Sequence, residues 1–445
     1  MNIHQNIGPN ATEAAFSDAY AAVRASLPGV GDGSLAGIRD AAMARFKALG
    51  LPHRRIEAWH YTDLRRLLGE ACASIRESDA ADLYAADRGG VATQAAFAGL
   101  KPARLVFAAG RFQPGLSDLE GLGDGVDIGP LSAGPLPDWA LAEIAARRPA
   151  GDNAVFDLAT ALMTDGALIR VTKGHNPARP IEIVSLSSGG GSVLRHVVVL
   201  EDDAVLRLIE HAGGEGAMSL TAMTVVLGDR ARLDHVKIQD EGRATTHLAP
   251  MTGQVGAGAC INAFTLTLGA ALAREERDIR FAGEDTRGSI SGAFLLSGRT
   301  HADTTLCIDH ANTGGQSREI FKGIVDGAAK SVVQTSVVVA AGAQKTDARQ
   351  GVHVLLLSED AEHNTKPELE IYADDVQCAH GATVGELDET ALFYLMSRGI
   401  TRSVAQAMLI EAFVFGAMEE IADDEFRGVI CVLAAARLDE RKAHG

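Results

Sequence analysis

The chain has 445 residues, a formal net charge of −17 and only 5% aromatic residues. Its length predicts two or three structural units rather than one simple core, and its acidic balance argues against nucleic-acid binding over a broad basic surface. The five cysteines are sparse and widely spaced, which excludes a disulfide framework and fits a reducing compartment.

The start of the chain shows no targeting pattern. Its first ten residues are polar and lack the charged and then apolar order of a signal peptide. No run of 18 apolar residues occurs anywhere in the sequence. We therefore predict a cytoplasmic protein without a membrane span.

The first part of the chain has a mixed, mainly helical pattern. Apolar residues recur at near-helical spacing in residues 11–49, with a glycine-rich break that predicts two helices. Residues 139–147 and 153–163 predict two further short helices, and residues 104–108 predict a strand. We expect residues 1–165 to form an N-terminal helical or mixed domain.

Residues 51–64 are basic and aromatic at once. Such a stretch is compatible with contact to a nucleotide or nucleic acid, where aromatic rings stack on bases. The competing interpretation is a helix that packs Ile56, Trp59 and Leu64 inward and leaves its arginines in solvent. The acidic balance of the whole chain favours the packed helix.

Residues 166–385 are rich in short apolar runs separated by turns. Residues 197–206 align with residues 224–233 at an offset of 27 residues, and residues 323–332 repeat the same order of apolar, turn and small residues. A period of 20–50 residues predicts a stacked array, and strands without long helices between them predict a parallel β-helix. A β-sandwich is the alternative, whereas a propeller would need four strands per repeat.

Cys378 and His380 place a thiol and an imidazole two residues apart at the end of this β region. On a strand both side chains would share one face, and both are ligands that soft metals and iron–sulfur species accept. The alternative is a buried cysteine beside a structural histidine. The residues alone leave both interpretations open, because no Cys-x-x-Cys accompanies them.

A second polar group lies within the β region. Cys307 and Asp309 would share one strand face and His310 the other, so a ligand or thiol role competes with simple burial of the cysteine. Residues 344–350 form a polar stretch between apolar strands that suits a binding loop. They lack the glycine and lysine order of a phosphate loop.

Residues 386–445 predict a C-terminal helical domain. Asp388 is a suitable N-cap for a helix that runs to Arg398, and Ser403 opens a capping-box order for a second helix. Residues 403–418 are apolar almost all round, so this helix must be buried. Burial within its own domain and burial against a partner are equally compatible with the pattern.

Several stretches together resemble the SufB/SufD family of iron–sulfur cluster assembly proteins. The resemblance is carried, in this order along the chain, by residues 54–62, 344–350, 355–358, 366–371, 378–385 and 392–400. The Glu-x-Trp-x-Tyr-Thr signature of Glu57, Trp59, Tyr61 and Thr62, with the moderate length, resembles the SufD branch rather than the SufB branch. The family commonly has serine where this chain has Ala379, and both candidate ligands beside that position are kept.

The resemblance implies a right-handed parallel β-helix with helical domains at both ends. It implies a heterodimer with SufB through the β-helix, with His380 and Cys378 near a transient iron–sulfur cluster at that interface and no stably bound cofactor. It also implies that the C-terminal helices bind the SufC ATPase. The candidate residues for SufC binding are Asp388, Leu392, Phe393, Tyr394, Arg398, Arg402, Met408 and Phe413.

The function that this resemblance implies is a non-catalytic scaffold subunit in a SufB–SufC–SufD complex. One alternative is a SufB-like subunit that holds the cluster by itself, and another is a β-helix polysaccharide lyase or hydrolase. A homodimer of the isolated chain is compatible with the same surface. Membrane and nucleic-acid partners are not expected.

Overall fold

The computed structural model of the chain describes residues 8–74, 93 and 95–444. The polar residues that argue against a signal peptide lie mostly outside these ranges. The helices are α1 (Ala11–Val23), α2 (Ala36–Leu49), α3 (Leu64–Leu67), α4 (Asp138–Ala146), α5 (Ala154–Leu162), α6 (Glu389–Ser397), α7 (Arg402–Met418) and α8 (Asp424–His444). No helix in these ranges is both long enough and apolar enough to cross a membrane.

The strands make up the middle of the chain. They are β1 (Ala103–Ala108), β2 (Arg111–Phe112), β3 (Val126–Pro130), β4 (Ala167–Val171), β5 (Ile181–Leu200), β6 (Val205–Leu227), β7 (Arg232–Gln239), β8 (Thr246–Val255), β9 (Cys260–Thr267), β10 (Leu272–Phe281), β11 (Arg287–Leu296), β12 (His301–His310), β13 (Gln316–Val325), β14 (Lys330–Val339), β15 (Asp347–Leu356), β16 (Glu362–Ile371) and β17 (Gln377–Gly385).

From β6 onward, each strand pairs in parallel with the strand two positions later. The series β6, β8, β10, β12, β14, β16 forms one sheet, and the series β7, β9, β11, β13, β15, β17 forms the other. The two sheets wind into a parallel β-solenoid of about 8 turns with helices at both ends of the chain. This confirms the predicted fold class, while the handedness of the coil and the domain boundaries stay predictions.

The repeat found in the sequence is a true structural repeat. Val197 pairs with Thr224, so the offset of 27 residues is one rung of the solenoid. The third run, residues 323–332, instead spans the turn between β13 and β14 on the opposite edge. Six successive turns on the first edge stack a left-handed backbone position, which favours glycine or a tolerant polar residue. These positions are Asp203, Arg230, Gly258, Asp285, Gly314 and Lys345.

The helices cover the outer faces of the solenoid. The N-terminal helices pack on one sheet, where Leu220 and Leu248 belong to their apolar cluster. The helices α7 and α8 pack on the other sheet, where Phe264, Ile324 and Val414 belong to one apolar cluster. The helices thus flank the sides of the solenoid and leave its last two strands largely exposed.

The signature stretch ties the N-terminal domain to the solenoid. The guanidinium carbon of Arg274 on β10 stacks 3.6 Å from the centre of the Trp59 ring, and Thr62 donates a hydrogen bond to Asp303 on β12. The Glu57 carboxylate forms an ion pair of 2.6 Å with Lys366 on β16. Trp59 is buried as predicted, but it lies in a short 3-10 turn, Glu57–Trp59, rather than in a helix.

The C-terminal helices begin and end close to the predicted residues. Asp388 caps α6 by accepting hydrogen bonds from the amides of Thr390 and Ala391, and Gly399 follows it with a φ of +90°. The predicted capping box at Ser403 is wrong. Helix α7 begins at Arg402 after Thr401, and no side chain caps it.

Candidate functional site

The last two strands leave the solenoid with an unpaired end. Strand β16 pairs with β14 and strand β17 pairs with β15, and no further rung follows them in the described part of the chain. We call the uncovered edges of β16 and β17 the open end. Their outer backbone N–H and C=O groups are available to another strand.

Cys378 and His380 lie together at the open end. Cys378 pairs with Ala348, and His380 pairs with Gln350. Cys378 packs against the interior apolar cluster, so both side chains are on the inward face of β17, as the sequence spacing predicts. The imidazole of His380 is exposed, whereas the thiol of Cys378 is half-buried.

The environment of Cys378 favours the protonated thiol. Burial, followed by the nearby carboxylates of Asp347 and Glu319, raises the pKa of the Cys378 thiol above its ordinary value. The thiolate is the form that binds metals and attacks sulfur. A reactive thiolate at this position would need a neighbouring cation, whereas the charges that act most on this thiol, of those the structure describes, are carboxylates.

Two polar residues lie beneath His380 inside the solenoid. Glu319 on β13 pairs with Gln350 on β15, which in turn pairs with His380 on β17. Glu319 is fully buried, and burial raises the pKa of its carboxyl group to about 7. In the described part of the chain, neither oxygen of Glu319 nor the amide oxygen of Gln350 has a hydrogen-bond partner of good geometry, although the Ser317 hydroxyl lies near the Glu319 carboxyl. No local sequence pattern distinguishes Glu319, so it was not among the predicted site residues.

The second polar group is not part of this end. Cys307 lies on the outward face of β12, and burial with the carboxylates of Asp278 and Asp309 raises its pKa to about 12. His310 lies on the opposite face, as the strand spacing predicts. It points inward and lies 3.0 Å from the hydroxyl of Ser317. Among the residues the structure describes, no group of three or more His, Cys, Asp or Glu side chains is arranged to hold a metal ion.

A network of buried charges fills part of the interior, away from the open end. Lys237 lies 3.2 Å from Glu210 and 2.7 Å from Glu275, and His247 lies 2.8 Å from Glu241. The Glu241 carboxylate raises the pKa of His247 to about 9, against the effect of burial. Arg277 also lies near Glu275, so the network contains three carboxylates and three cations. Such a balance of charge is what a buried structural network needs.

The candidate partner-binding residues lie mainly on the outer surface of α6 and α7. Phe393 is 73% exposed and Tyr394 is 56% exposed. Met408 is also exposed, and Phe413 is partly covered by the ammonium group of Lys322, 5.6 Å from its ring centre. Leu392 is fully buried, so its side chain anchors α6 and offers no contact surface.

The two predicted arginines on this surface differ in their surroundings. The guanidinium of Arg398 lies 5.1 Å from the ring centre of Tyr394. Arg402 forms an ion pair of 2.9 Å with Glu389 at the start of α6. A reversal of charge at Arg402 would therefore disturb the α6–α7 contact itself, which makes Arg398 the cleaner position for a charge test.

A cleft of about 830 Å³ separates this helical surface from the open end. Its walls include Leu357, Val384 and Leu387 at the solenoid and Gln406 and Ile410 on α7. The open end and the helical surface are thus two neighbouring but distinct regions. The fold and this end together define a β-solenoid protein whose candidate chemistry lies at an uncovered strand edge rather than in an enclosed active site.

Comparison with known proteins places this solenoid in a family. Residues 10–183 match the SufBD protein N-terminal region, and residues 183–413 match the SufBD core domain of the SUF system for FeS cluster assembly. The chain belongs to the SufB/SufD family of iron–sulfur cluster assembly proteins and is a homologue of SufD.

Relatives match along most of their length. The iron-sulfur cluster assembly protein SufD of Escherichia coli K12 is 32% identical over 399 residues, which cover 87% of this chain and 90% of the relative. An iron-sulfur cluster assembly SufBD family protein of Synechocystis is 29% identical over 428 residues, covering 89% and 90%. SufD of Bacillus subtilis is 26% identical over 271 residues, covering 59% and 62%.

Proposed function

We propose that this chain is a non-catalytic scaffold subunit on which nascent iron–sulfur clusters are assembled at a shared interface with a SufB subunit. The observation that supports this most is the position of His380 and Cys378 on the uncovered last strand. The cluster is cargo in this proposal and leaves for other proteins. The polysaccharide lyase alternative is disfavoured, because the chain belongs to a cluster-assembly family.

The open end suits a sister solenoid as the partner. An unpaired strand edge binds another strand through its backbone groups, and a SufB chain would present a comparable end. Iron–sulfur clusters are usually held by four ligands, and β17 offers at most the Cys378 thiol and the His380 imidazole. A second chain supplies the remainder in this proposal, and a homodimer through the same edge is the alternative for the isolated chain.

We assign the surface of α6 and α7 to the SufC ATPase. Exposed large apolar side chains that cluster on one surface mark protein interaction sites, and here Phe393, Tyr394 and Met408 are such side chains. Arg398 lies beside Tyr394 and adds a positive charge at the edge of this surface. ATP turnover in SufC would then act on the scaffold through these helices, next to the cleft that leads to the open end.

Phe393→Asp is expected to lower the amount of SufC that co-purifies with this chain to the amount that SufB itself binds. The ring is exposed in the free chain, so its loss leaves the fold intact. A buried aromatic anchor typically contributes 2 kcal/mol or more to an interface, about thirtyfold in affinity. Co-expression with SufB and SufC, followed by affinity purification through a tag on this chain, measures the effect.

The matched control is Val432→Asp on α8. Val432 is also an exposed apolar residue, at 62% exposure, but it lies outside the proposed SufC surface. This variant should keep SufC at the native level. Retention of SufC at the native level by the Phe393→Asp chain, in a complex that also keeps SufB, would remove the assignment of α6 to SufC.

A further inference from the structure

Glu319, Gln350 and His380 form a column across the last rungs of the solenoid. They occupy matched positions on β13, β15 and β17, and neighbouring strands lie about 4.8 Å apart. Glu319 is two residues from Phe321, and Gln350 is two residues from Ala348; Phe321 and Ala348 both belong to the interior cluster. Residues two apart on a strand share a face, so the side chains of Glu319 and Gln350 also point to the interior. The strand register therefore places His380 next to Gln350, on the open side of the column.

The column contains unsatisfied acceptor atoms. Among the described residues, both carboxylate oxygens of Glu319 and the amide oxygen of Gln350 are buried without a hydrogen-bond partner of good geometry, and the Ser317 hydroxyl lies near the Glu319 carboxyl. Burying an acceptor without a partner is unfavourable, and native proteins rarely keep several of them side by side. The amide nitrogen of Gln350 donates a long bond of 3.5 Å to the carbonyl oxygen of Glu368, which leaves its second N–H available.

We propose that Glu319 and Gln350 are positioning residues that orient His380 through a hydrogen-bonded relay. The Gln350 amide donates its second N–H to the Glu319 carboxylate and accepts the N–H of the His380 imidazole through its oxygen. One imidazole nitrogen then keeps its proton, and the other presents its lone pair at the open end.

This arrangement has a chemical reason. Histidines that bind metals commonly donate their other N–H to an acceptor, which fixes the tautomer and the ring orientation. The amide oxygen of Gln350 does not itself titrate, but the orientation of the amide requires the ionised form of Glu319, whose pKa is raised to about 7 by burial. Gln350 is the last residue of the polar stretch 344–350. The relay therefore assigns a role to this stretch, which the proposed function does not.

The test is the tautomer of His380 in the full-length chain, measured by NMR on protein labelled with ¹⁵N-histidine. The signals of His380 are assigned by their loss in the His380→Ala chain. The native chain should show one dominant tautomer. Gln350→Met, which keeps the side-chain length without the acceptor, should give a mixture of both tautomers, and Gln350→Glu, which keeps an acceptor oxygen, should restore one.

Thr335→Val is the matched control, because it removes another buried and unpartnered oxygen from the solenoid interior without touching the column. It should leave the tautomer unchanged. A mixture of tautomers in the native chain would overturn the relay even if the Gln350 variants failed to fold. An unchanged single tautomer in a folded Gln350→Met chain would overturn it as well.

The use of the free nitrogen as an iron ligand rests on the proposed function, but the tautomer does not. A fixed tautomer together with unchanged cluster content in a His380→Ala complex would support the relay and contradict the proposed function. A mixed tautomer together with cluster loss in that complex would contradict the relay alone.

Discussion

Replacing His380 by alanine is expected to lower the iron and sulfide content of the co-expressed complex by about tenfold or more. The imidazole is the exposed candidate ligand that β17 presents at the open end. Loss of even an outer partner of a metal ligand commonly costs 10–100-fold in affinity, so loss of the ligand itself should cost at least as much. Anaerobic purification with SufB and SufC, followed by iron and sulfide analysis, measures the content.

His353→Ala on β15 is the matched control for this experiment. His353 faces outward and lies 2.8 Å from the hydroxyl of Thr383 on β17, so its removal perturbs the same edge without altering the inward face. The control complex should keep its cluster content, and both variant complexes should keep their subunits on size exclusion. Native cluster content in an intact His380→Ala complex would contradict the proposed site.

Replacing Lys237 by methionine is expected to lower the free energy of unfolding of the solenoid by about 3–5 kcal/mol. The ammonium group of Lys237 lies between the buried carboxylates of Glu210 and Glu275 and 3.0 Å from the imidazole of His247. Methionine fills the space of the lysine side chain but leaves the buried carboxylates of Glu210 and Glu275 without the positive charge of the ammonium group. Denaturant unfolding of the native and variant chains, followed by far-UV circular dichroism, measures the loss.

Lys330→Met makes the same chemical change at the surface, where Lys330 and Glu362 form an exposed ion pair of 2.7 Å. Exposed pairs of this kind contribute about 0–1 kcal/mol, so this control should unfold almost like the native chain. Equal midpoints for the two variants would show that the interior network contributes no more than a surface pair does.

The fold could be predicted from the sequence because successive rungs of the solenoid repeat the same order of apolar, turn and small residues. The pairing of Val197 with Thr224 reproduces the offset seen by alignment, and successive rungs place a residue such as Asp203 or Arg230 in the left-handed conformation at the same turn. The placement of Cys378 and His380 on one face followed from the strand period alone.

The column of polar residues inside the solenoid could not be predicted from the sequence in the same way. Glu319, Gln350 and His380 are far apart in sequence, and the later rungs are longer than the early ones because their turns differ in length. An alignment that assumes one constant repeat length therefore no longer matches equivalent residues at the open end. The flanking position of the helices was also missed, because an apolar helix indicates that it is buried but not which face of a solenoid buries it.

The central claim is that the open end is where a sister subunit binds. Hydrogen–deuterium exchange of the β17 amides (Gln377–Gly385) tests it most directly, measured in the isolated chain and in the complex with SufB. We expect the amides on the uncovered edge to exchange in the isolated monomer and to be protected in the complex. Unchanged exchange at β17, with new protection appearing elsewhere on the chain, would contradict the account.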